Sequence, residues 1–226
     1  MVSGVTSNTS GVTPYAAVAF DLLTGLLDSW TLWDRVAGSS AIGRAWRGAY
    51  LSLTYDAGAY VPYESLVAEA ARAVGAPASL ADALVAEWDS IEPWPDAIAT
   101  LQQLAVRVPL AVVTNCSNVL AARAMAKLSD VPFVTCVTAE AVGAYKPDPR
   151  TYRRMLDDLG TTPSETLFVA GSPFDIAGAS SAGMSVYWHN RAGLVAGDQG
   201  GWPAGALIAE ERTLRPLVER VRAGRR

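Results

Sequence analysis

The chain has 226 residues, half of them hydrophobic and 18% charged, a composition typical of a globular protein with one large domain or a core domain and a small second one. Its net charge of -4 leaves no basic surface for nucleic acid, so we expect no nucleic-acid partner. No apolar run reaches the roughly 18 residues of a membrane span, and no signal peptide opens the chain. We therefore expect a cytoplasmic protein without a membrane partner.

The cysteine and histidine content limits the kinds of site that the chain can build. Two cysteines, Cys116 and Cys136, are too few for a disulfide framework, and both lie in apolar runs, so we interpret them as reduced core thiols. The one histidine, His189, excludes a His-rich metal cluster and leaves no obvious Ser-His-Asp triad. A structural role is its simplest interpretation.

The first predicted strand ends in a carboxylate. Residues 16–20 form an apolar run that suits a buried strand of a parallel sheet, and Asp21 follows directly. A charge at this place is costly unless something uses or compensates it. Because ligands bind outside the carboxyl ends of parallel strands, Asp21 is a candidate reactive group. The alternative is that Asp21 merely caps a turn.

The rest of the chain divides into a helical block and an alternating block. Residues 1–15 are predicted to be a flexible tail. Between residues 28 and 94 apolar side chains recur at three- and four-residue steps, the pattern of amphipathic helices, and no segment there has the pattern of a strand. Beyond residue 95, predicted strands and helices alternate. The strands are 110–113, 133–137, 166–169 and 185–188, and the helices are 96–106, 119–128, 149–159, 176–182 and 214–222.

This alternation predicts an α/β protein with a doubly wound parallel sheet flanked by helices. The core comprises residues 16–27 and 95–226. Residues 28–94 then form a small all-helical cap inserted after the first strand, above the carboxyl ends of the strands. Asp96 is a possible N-cap of the first helix after the insert.

Polar residues follow four of the predicted strands in chain order. They are Asp21, then Thr114-Asn115-Cys116-Ser117, then Lys146-Pro147-Asp148 with Tyr152, and then Ala170-Gly171-Ser172-Pro173-Phe174-Asp175. This series resembles the haloacid dehalogenase (HAD) superfamily of hydrolases, and within it the L-2-haloacid dehalogenases. The resemblance covers roughly residues 16 to 222 and implies a HAD-like Rossmannoid core.

The resemblance assigns roles to named positions. It implies that Asp21 is the nucleophile, that Thr114 and Asn115 donate hydrogen bonds, that Lys146 supports the ionised nucleophile, and that Asp175 positions water. The substrate-binding residues that it implies are Arg47, Tyr152, Ser172, Phe174 and Leu23.

Simpler interpretations remain open for four of these residues. Lys146 is alternatively a surface lysine, and Asp175 an N-cap of the helix that starts at Ile176. Arg47 is alternatively part of a solvated helix face, and Tyr152 is equally a core residue.

Two departures from the superfamily's phosphatases favour chemistry without a metal. Leu23 stands where the phosphatases carry a second aspartate, the acid that protonates an alkoxide leaving group. Gly171 stands where they carry a carboxylate that binds Mg²⁺, a cation that prefers several oxygen ligands. A halide leaves carbon without a proton, so displacement at carbon needs neither group. We therefore expect no cofactor and no metal, with Mg²⁺ required only if the protein is a phosphatase.

The chain also departs from the dehalogenases, at Leu23, Thr24-Gly25, Ala170 and Ser172. These differences indicate either another substrate, such as a small acid with a strained ring, or weakened activity. The expected function is displacement at carbon of a small carboxylic acid through an aspartyl ester. The alternatives are a phosphatase with an altered metal site and a catalytically silent binding protein.

The helical insert is rich in tryptophan, with Trp30, Trp33, Trp46, Trp88 and Trp94. If these side chains form an exposed apolar patch, they would support a homodimer.

Overall fold

The computed structural model describes residues 15–196 and 202–224. All of the predicted tail except Tyr15 lies outside these residues. The described strands form one parallel sheet in the order β3-β2-β1-β4-β5-β6. They are β1 (Ala17–Asp21), β2 (Leu110–Thr114), β3 (Phe133–Thr138), β4 (Thr166–Ala170), β5 (Ser185–His189) and β6 (Leu207–Glu211). The predicted fold class is confirmed.

Four helices separate β1 from the rest of the core. They are α1 (Ser29–Val36), α2 (Ser40–Asp56), α3 (Tyr63–Ala73) and α4 (Leu80–Ala86). The helices that alternate with the later strands are α5 (Ala97–Ala105), α6 (Asn118–Met125), α7 (Ala139–Val142), α8 (Pro149–Leu159), α9 (Pro173–Ser181) and α10 (Leu217–Ala223). None of the described helices combines the length and the hydropathy that crossing a bilayer requires.

The central strand β1 is buried on both faces. Phe20 packs in the hydrophobic cluster that includes the side chains of α1 to α5, and Ala19 packs in a second cluster with Tyr152 and Phe168. Neighbouring residues of a strand point to opposite faces, so the two clusters lie on the two sides of the sheet. The carboxyl end of β1, at Asp21, lines a cavity.

Several predicted details are wrong. The helix expected to begin at Ile176 begins at Pro173, and the last helix begins at Leu217. The strand β6 was not predicted, because its sequence, Leu-Ile-Ala-Glu-Glu, mixes apolar and charged residues without a clear alternation.

Asp96 occupies the predicted N-cap position of α5, but its side chain does not cap the helix. Instead Oδ2 of Asp96 accepts hydrogen bonds from the backbone N–H of Leu214, at 2.8 Å, and from the Thr213 hydroxyl. Burial alone would raise the pKa of Asp96, but these hydrogen bonds outweigh it and lower the pKa. Asp96 therefore ties the start of α5 to the segment before α10.

The tryptophans of the helical insert do not form an exposed patch, which corrects that expectation. Their exposed fractions lie between 0% and 9%. Three of them also donate buried hydrogen bonds through the indole N–H: Trp46 to the Val67 carbonyl, Trp88 to the Leu120 carbonyl and Trp94 to the Thr24 carbonyl. The homodimer stays a prediction, without this patch to support it.

Candidate active site

The candidate nucleophile Asp21 lies at the end of β1 in a tight turn. Its carboxylate oxygen Oδ2 accepts hydrogen bonds from the backbone N–H groups of Thr24 and Gly25, both at 2.9 Å. A side chain at Gly25 would collide with the backbone carbonyl of Asp21, so the turn requires glycine there. The turn therefore presents the carboxylate in one orientation, with two donors on one oxygen.

Lys146 lies between two buried carboxylates. Its ammonium Nζ is 2.8 Å from Oδ1 of Asp21 and 2.6 Å from Oδ1 of Asp175. Only 6% of Lys146 is exposed, so the surface-lysine alternative is wrong. Burial alone would lower the pKa of Lys146, but the two carboxylates outweigh it and hold the pKa above the usual lysine value. Lys146 is therefore a permanent cation at the site.

The two carboxylates differ in their pKa directions. Burial would raise the pKa of Asp21, but Lys146 and the N–H groups of Gly25 and Thr24 outweigh it and lower the pKa. The pKa of Asp175 is raised by burial and by the negative charge of Asp21, against the attraction of Lys146. Asp21 is thus held ionised, as a nucleophile must be, and Asp175 is the better proton acceptor of the two.

Asp175 is held by the start of α9. Its Oδ2 accepts hydrogen bonds from the Ser172 hydroxyl at 2.9 Å and from the Ser172 and Gly171 N–H groups at 3.1 and 3.3 Å. Ser172, not Asp175, is the N-cap, and the two residues form a reciprocal capping box. Asp175 therefore has both a capping role and an ion pair, since its other oxygen contacts Lys146.

Asn115 braces the backbone of Lys146. Its Oδ1 accepts from the Lys146 N–H at 2.7 Å, and its Nδ2 donates to the Lys146 carbonyl at 3.3 Å. The predicted hydrogen-bond donor after β2 thus serves Lys146 in this structure. Thr114, which precedes it, is buried and lines the cavity beside Asp21.

Arg47 is buried, so the solvated-face alternative is wrong. Only 3% of the residue is exposed. Its guanidinium donates to the Thr24 hydroxyl at 2.8 Å and to the Ser29 hydroxyl, and it lies 4.4 Å from the ring centroid of Trp30. Among the residues that the structure describes, no carboxylate lies within ion-pair distance of Arg47. A buried cation with only neutral partners favours binding of an anion.

A small cavity joins Arg47 to the carboxylates. The cavity has a volume of about 40 Å³, which is room for roughly three water molecules. It is lined by Asp21, Leu23, Thr24, Arg47, Tyr50, Leu51, Thr54, Tyr55, Thr114, Asn115, Lys146, Ser172, Phe174 and Asp175. Every predicted site residue except Tyr152 lines this cavity.

Tyr152 is a core residue. Its ring is fully buried and packs edge-on against Phe168, with the ring centroids 5.6 Å apart. The substrate-binding role predicted for it is therefore wrong in this structure.

Several residues that line the cavity are not among the predicted site residues, and most of these lie on α2. Tyr50, Leu51, Thr54 and Tyr55 follow Arg47 at three, four, seven and eight residues, so they share its helix face. That spacing was the available signal, and it becomes informative only once Arg47 is known to point inward.

The residues present do not fit the magnesium site of a phosphatase. A Cβ atom at Gly171 would lie 2.5 Å from Oδ2 of Asp21 and 2.5 Å from the Gly25 nitrogen. A carboxylate therefore cannot occupy position 171 without moving the turn of residues 21–25, called the nucleophile turn below. Both carboxylates of the site already share Lys146. Among the described residues, no group of three or more His, Cys, Asp or Glu side chains is arranged to hold a metal ion.

We expect Gly171→Ala to reduce activity by more than about tenfold and to lower the free energy of unfolding by about 1–3 kcal/mol, because the methyl group would overpack the nucleophile turn. The matched control is Gly48→Ala on α2, where nothing lies within 4 Å of the added Cβ atom. Gly48→Ala should be neutral or stabilising, by up to about 1 kcal/mol. Equal effects of the two substitutions, measured by turnover and chemical denaturation, would refute the close approach at Gly171.

The fold and the site together define an α/β protein with a lysine-supported aspartate at the carboxyl edge of its sheet. Residues 74–189 match the family model described as haloacid dehalogenase-like hydrolase. The chain belongs to this family.

The individual proteins to which the chain is similar include dehalogenases and a phosphatase. The chain is 33% identical over 116 residues to (S)-2-haloacid dehalogenase 4A of Burkholderia cepacia, a match that covers 50% of each chain. It is 32% identical to a phosphatase of Mycobacterium tuberculosis, over 79% of this chain and 88% of that one. The structure of L-2-haloacid dehalogenase from Xanthobacter autotrophicus with chloropropionic acid covalently bound is similar with a TM-score of 0.77 and 25% identity, covering 92% of this chain and 98% of the other. The chain thus spans half the length of the Burkholderia enzyme and nearly all of the Xanthobacter one.

Proposed function

We propose that the protein is a hydrolase that displaces a halide from carbon 2 of a small carboxylic acid, without a metal, through an ester on Asp21. The observation that carries this proposal is a buried, ionised aspartate that faces a buried arginine across one small cavity. Within residues 15–196 and 202–224, no carboxylate pairs with that arginine. The aspartate supplies a nucleophile and the arginine a place for the substrate's anionic group. We also propose that residues 28–94 act as a cap over residues 16–27 and 95–226.

In the first step, a carboxylate oxygen of Asp21 forms a bond to carbon 2 while the carbon–halogen bond breaks. The halide leaves with the bonding electron pair and needs no proton, so the absence of an acid at Leu23 is no obstacle. Arg47 holds an anion, either the substrate carboxylate or the departing halide. Lys146 keeps Asp21 ionised before attack. For scale, two unit charges about 4 Å apart attract each other by about 4 kcal/mol at an effective dielectric near 20.

In the second step, water attacks the carbonyl carbon of the Asp21 ester. Asp175 accepts the proton of that water, consistent with its raised pKa. The N–H groups of Thr24 and Gly25, which contact Oδ2 of the free carboxylate, are placed to stabilise negative charge on the ester oxygen. As the ester breaks, Asp175 returns this proton to the departing alkoxide oxygen, which gives the 2-hydroxy acid. The second proton of the water is released as the Asp21 carboxylate is restored.

The names of the relatives support this proposal. Two of them are 2-haloacid dehalogenases, and one of these carries chloropropionic acid covalently bound. The similarity to the mycobacterial phosphatase favours the phosphatase alternative. Against it, Leu23 cannot act as the acid and Gly171 cannot act as the metal ligand that phosphatase chemistry would need. The cytoplasm is the proposed compartment, on the strength of the two free cysteines.

The test measures chloride release from 2-chloropropionate beside phosphate release from a generic phosphate ester, each with added Mg²⁺ and with EDTA. We expect chloride release that EDTA does not reduce, and no phosphate release. Chloride release that vanishes in EDTA would refute the metal-free mechanism. Phosphate release alone would favour the phosphatase alternative, and release of neither would favour the binding protein.

A further inference from the structure

We propose that Trp94 is a positioning residue for the nucleophile, acting through the peptide group between Thr24 and Gly25. This inference rests on the proposed function of Asp21. Trp94 does not line the cavity, so it acts on Asp21 only through the residues between them.

Two hydrogen bonds meet on one peptide group. The indole Nε1–H of Trp94 donates to the Thr24 carbonyl at 2.8 Å. The N–H of Gly25, which belongs to the same peptide group, donates to Oδ2 of Asp21 at 2.9 Å. Hydrogen bonds in such a chain polarise one another, so a donor on the carbonyl strengthens the N–H on the other side. Trp94 thus acts on Asp21 without touching it.

The indole of Trp94 is fixed on several sides. Its own backbone N–H donates to the Leu26 carbonyl at 3.0 Å, so the segment that returns from the helical insert is bound to the nucleophile turn. The ring lies edge-on to His189, with the ring centroids 6.2 Å apart, and 5.6 Å from the guanidinium of Arg191. Only 9% of the residue is exposed. The indole N–H therefore has little freedom to seek another acceptor.

His189 secures the next carbonyl of the same turn. Its Nδ1 lies 2.8 Å from the Gly25 carbonyl oxygen, which can only accept, so Nδ1 carries the proton. Two successive carbonyls of the turn are thus held by side chains from outside it. The Trp94 hydrogen bond therefore orients the plane that carries the Gly25 N–H toward Asp21. The His189 hydrogen bond holds the next plane, whose N–H belongs to Leu26 and donates to the Leu22 carbonyl at 3.1 Å.

Trp88 provides a matched control that tests whether the Trp94 hydrogen bond has only a structural role. Trp88 is also buried, and its indole N–H donates to the Leu120 carbonyl at 2.9 Å, on α6 and away from the nucleophile turn. Trp88→Phe and Trp94→Phe each remove one buried indole hydrogen bond. If such bonds only stabilise the fold, the two substitutions should have the same consequences.

The experiment measures steady-state chloride release and the hydrogen–deuterium exchange of the Gly25 amide in wild type, Trp94→Phe and Trp88→Phe. Trp94→Tyr, which fills more of the site but also lacks the indole N–H, is measured alongside. We expect kcat to fall about five- to tenfold in both Trp94 variants with KM changed less than about twofold, and to change less than about twofold in Trp88→Phe. The Gly25 amide should exchange about tenfold faster in the Trp94 variants only.

A folded Trp94 variant that keeps kcat and Gly25 exchange within about twofold of wild type would overturn the proposal, and so would equal losses of kcat in the Trp88 and Trp94 variants. If wild type releases no chloride, the proposed function fails, and the exchange measurement alone decides whether Trp94 strengthens the Gly25 hydrogen bond.

Discussion

Asp21→Asn should lower turnover by at least about 10⁴-fold, the scale of loss seen when a covalent nucleophile is removed. An amide is a poor nucleophile, and in the part of the chain that the structure describes Asp175 is the only other carboxylate that lines the cavity. Asp175 is the nearest candidate, but its second oxygen is occupied by the hydrogen bonds from Ser172 and Gly171. The measurement is chloride release under saturating 2-chloropropionate.

The folded state should tolerate this substitution. Lys146 keeps its contact with Asp175 at 2.6 Å, so no buried cation is left without a partner. We therefore expect the free energy of unfolding at neutral pH to fall by less than about 1 kcal/mol. Asp158→Asn is the control, since Asp158 pairs with Arg154 on the surface of α8, and that variant should keep full turnover. Turnover above about 1% of wild type in Asp21→Asn would contradict the role of Asp21.

Lys146→Met should cost both activity and stability. Without the ammonium group, the buried carboxylates of Asp21 and Asp175 face each other without a cation between them. Breaking a buried ion pair in this way typically costs about 3–5 kcal/mol, so we expect a loss of this size in the free energy of unfolding near neutral pH, together with loss of turnover. Chemical denaturation and chloride release measure the two effects.

The stability loss in Lys146→Met should shrink as the pH falls. In wild type the pKa of Asp21 is lowered, so its contribution to stability is present at neutral pH and is lost as the pH falls through the folded-state pKa. In the variant, burial and mutual repulsion should raise the pKa of the two carboxylates, so protonation should relieve the repulsion when stability measured at neutral pH is compared with stability at a lower pH.

Lys127→Met is the matched control for Lys146→Met. Lys127 pairs with Glu92 on the surface at 3.3 Å, and its loss should cost about 1 kcal/mol at most at either pH. If Lys146→Met is no less stable than Lys127→Met, the ion pairs of Lys146 with Asp21 and Asp175 do not stabilise the fold more than a surface pair does.

The site residues at the carboxyl ends of strands could be predicted from the sequence. Asp21 and Thr114 end their strands and Asp175 comes soon after β4. Because β1 lies between β2 and β4, parallel pairing alone brings the three to one edge. Lys146 needed the resemblance, because a loop and a helix separate it from β3 and its reach depends on Asn115 holding its backbone.

Three side chains could not be placed from sequence, since their partners are distant in the chain. Arg47 and Arg44 lie on adjacent turns of α2, and only the packing of Arg47 against Trp30 and Thr24 turns it inward. Asp96 precedes α5 in a position typical of a cap, yet its partners lie more than a hundred residues away. Tyr152 follows Lys146 at the family's spacing, but its ring fills the core against Phe168.

A single turnover in ¹⁸O-water, with enzyme in excess over 2-chloropropionate, tests the central claim most directly. If Asp21 forms an ester, the new hydroxyl oxygen of the first product comes from the Asp21 side chain. The product should therefore carry no label, and the peptide that contains Asp21 should gain one heavy oxygen by mass spectrometry. Label in the product of that first turnover, with none on Asp21, would mean that water attacks the substrate directly and would contradict the ester mechanism.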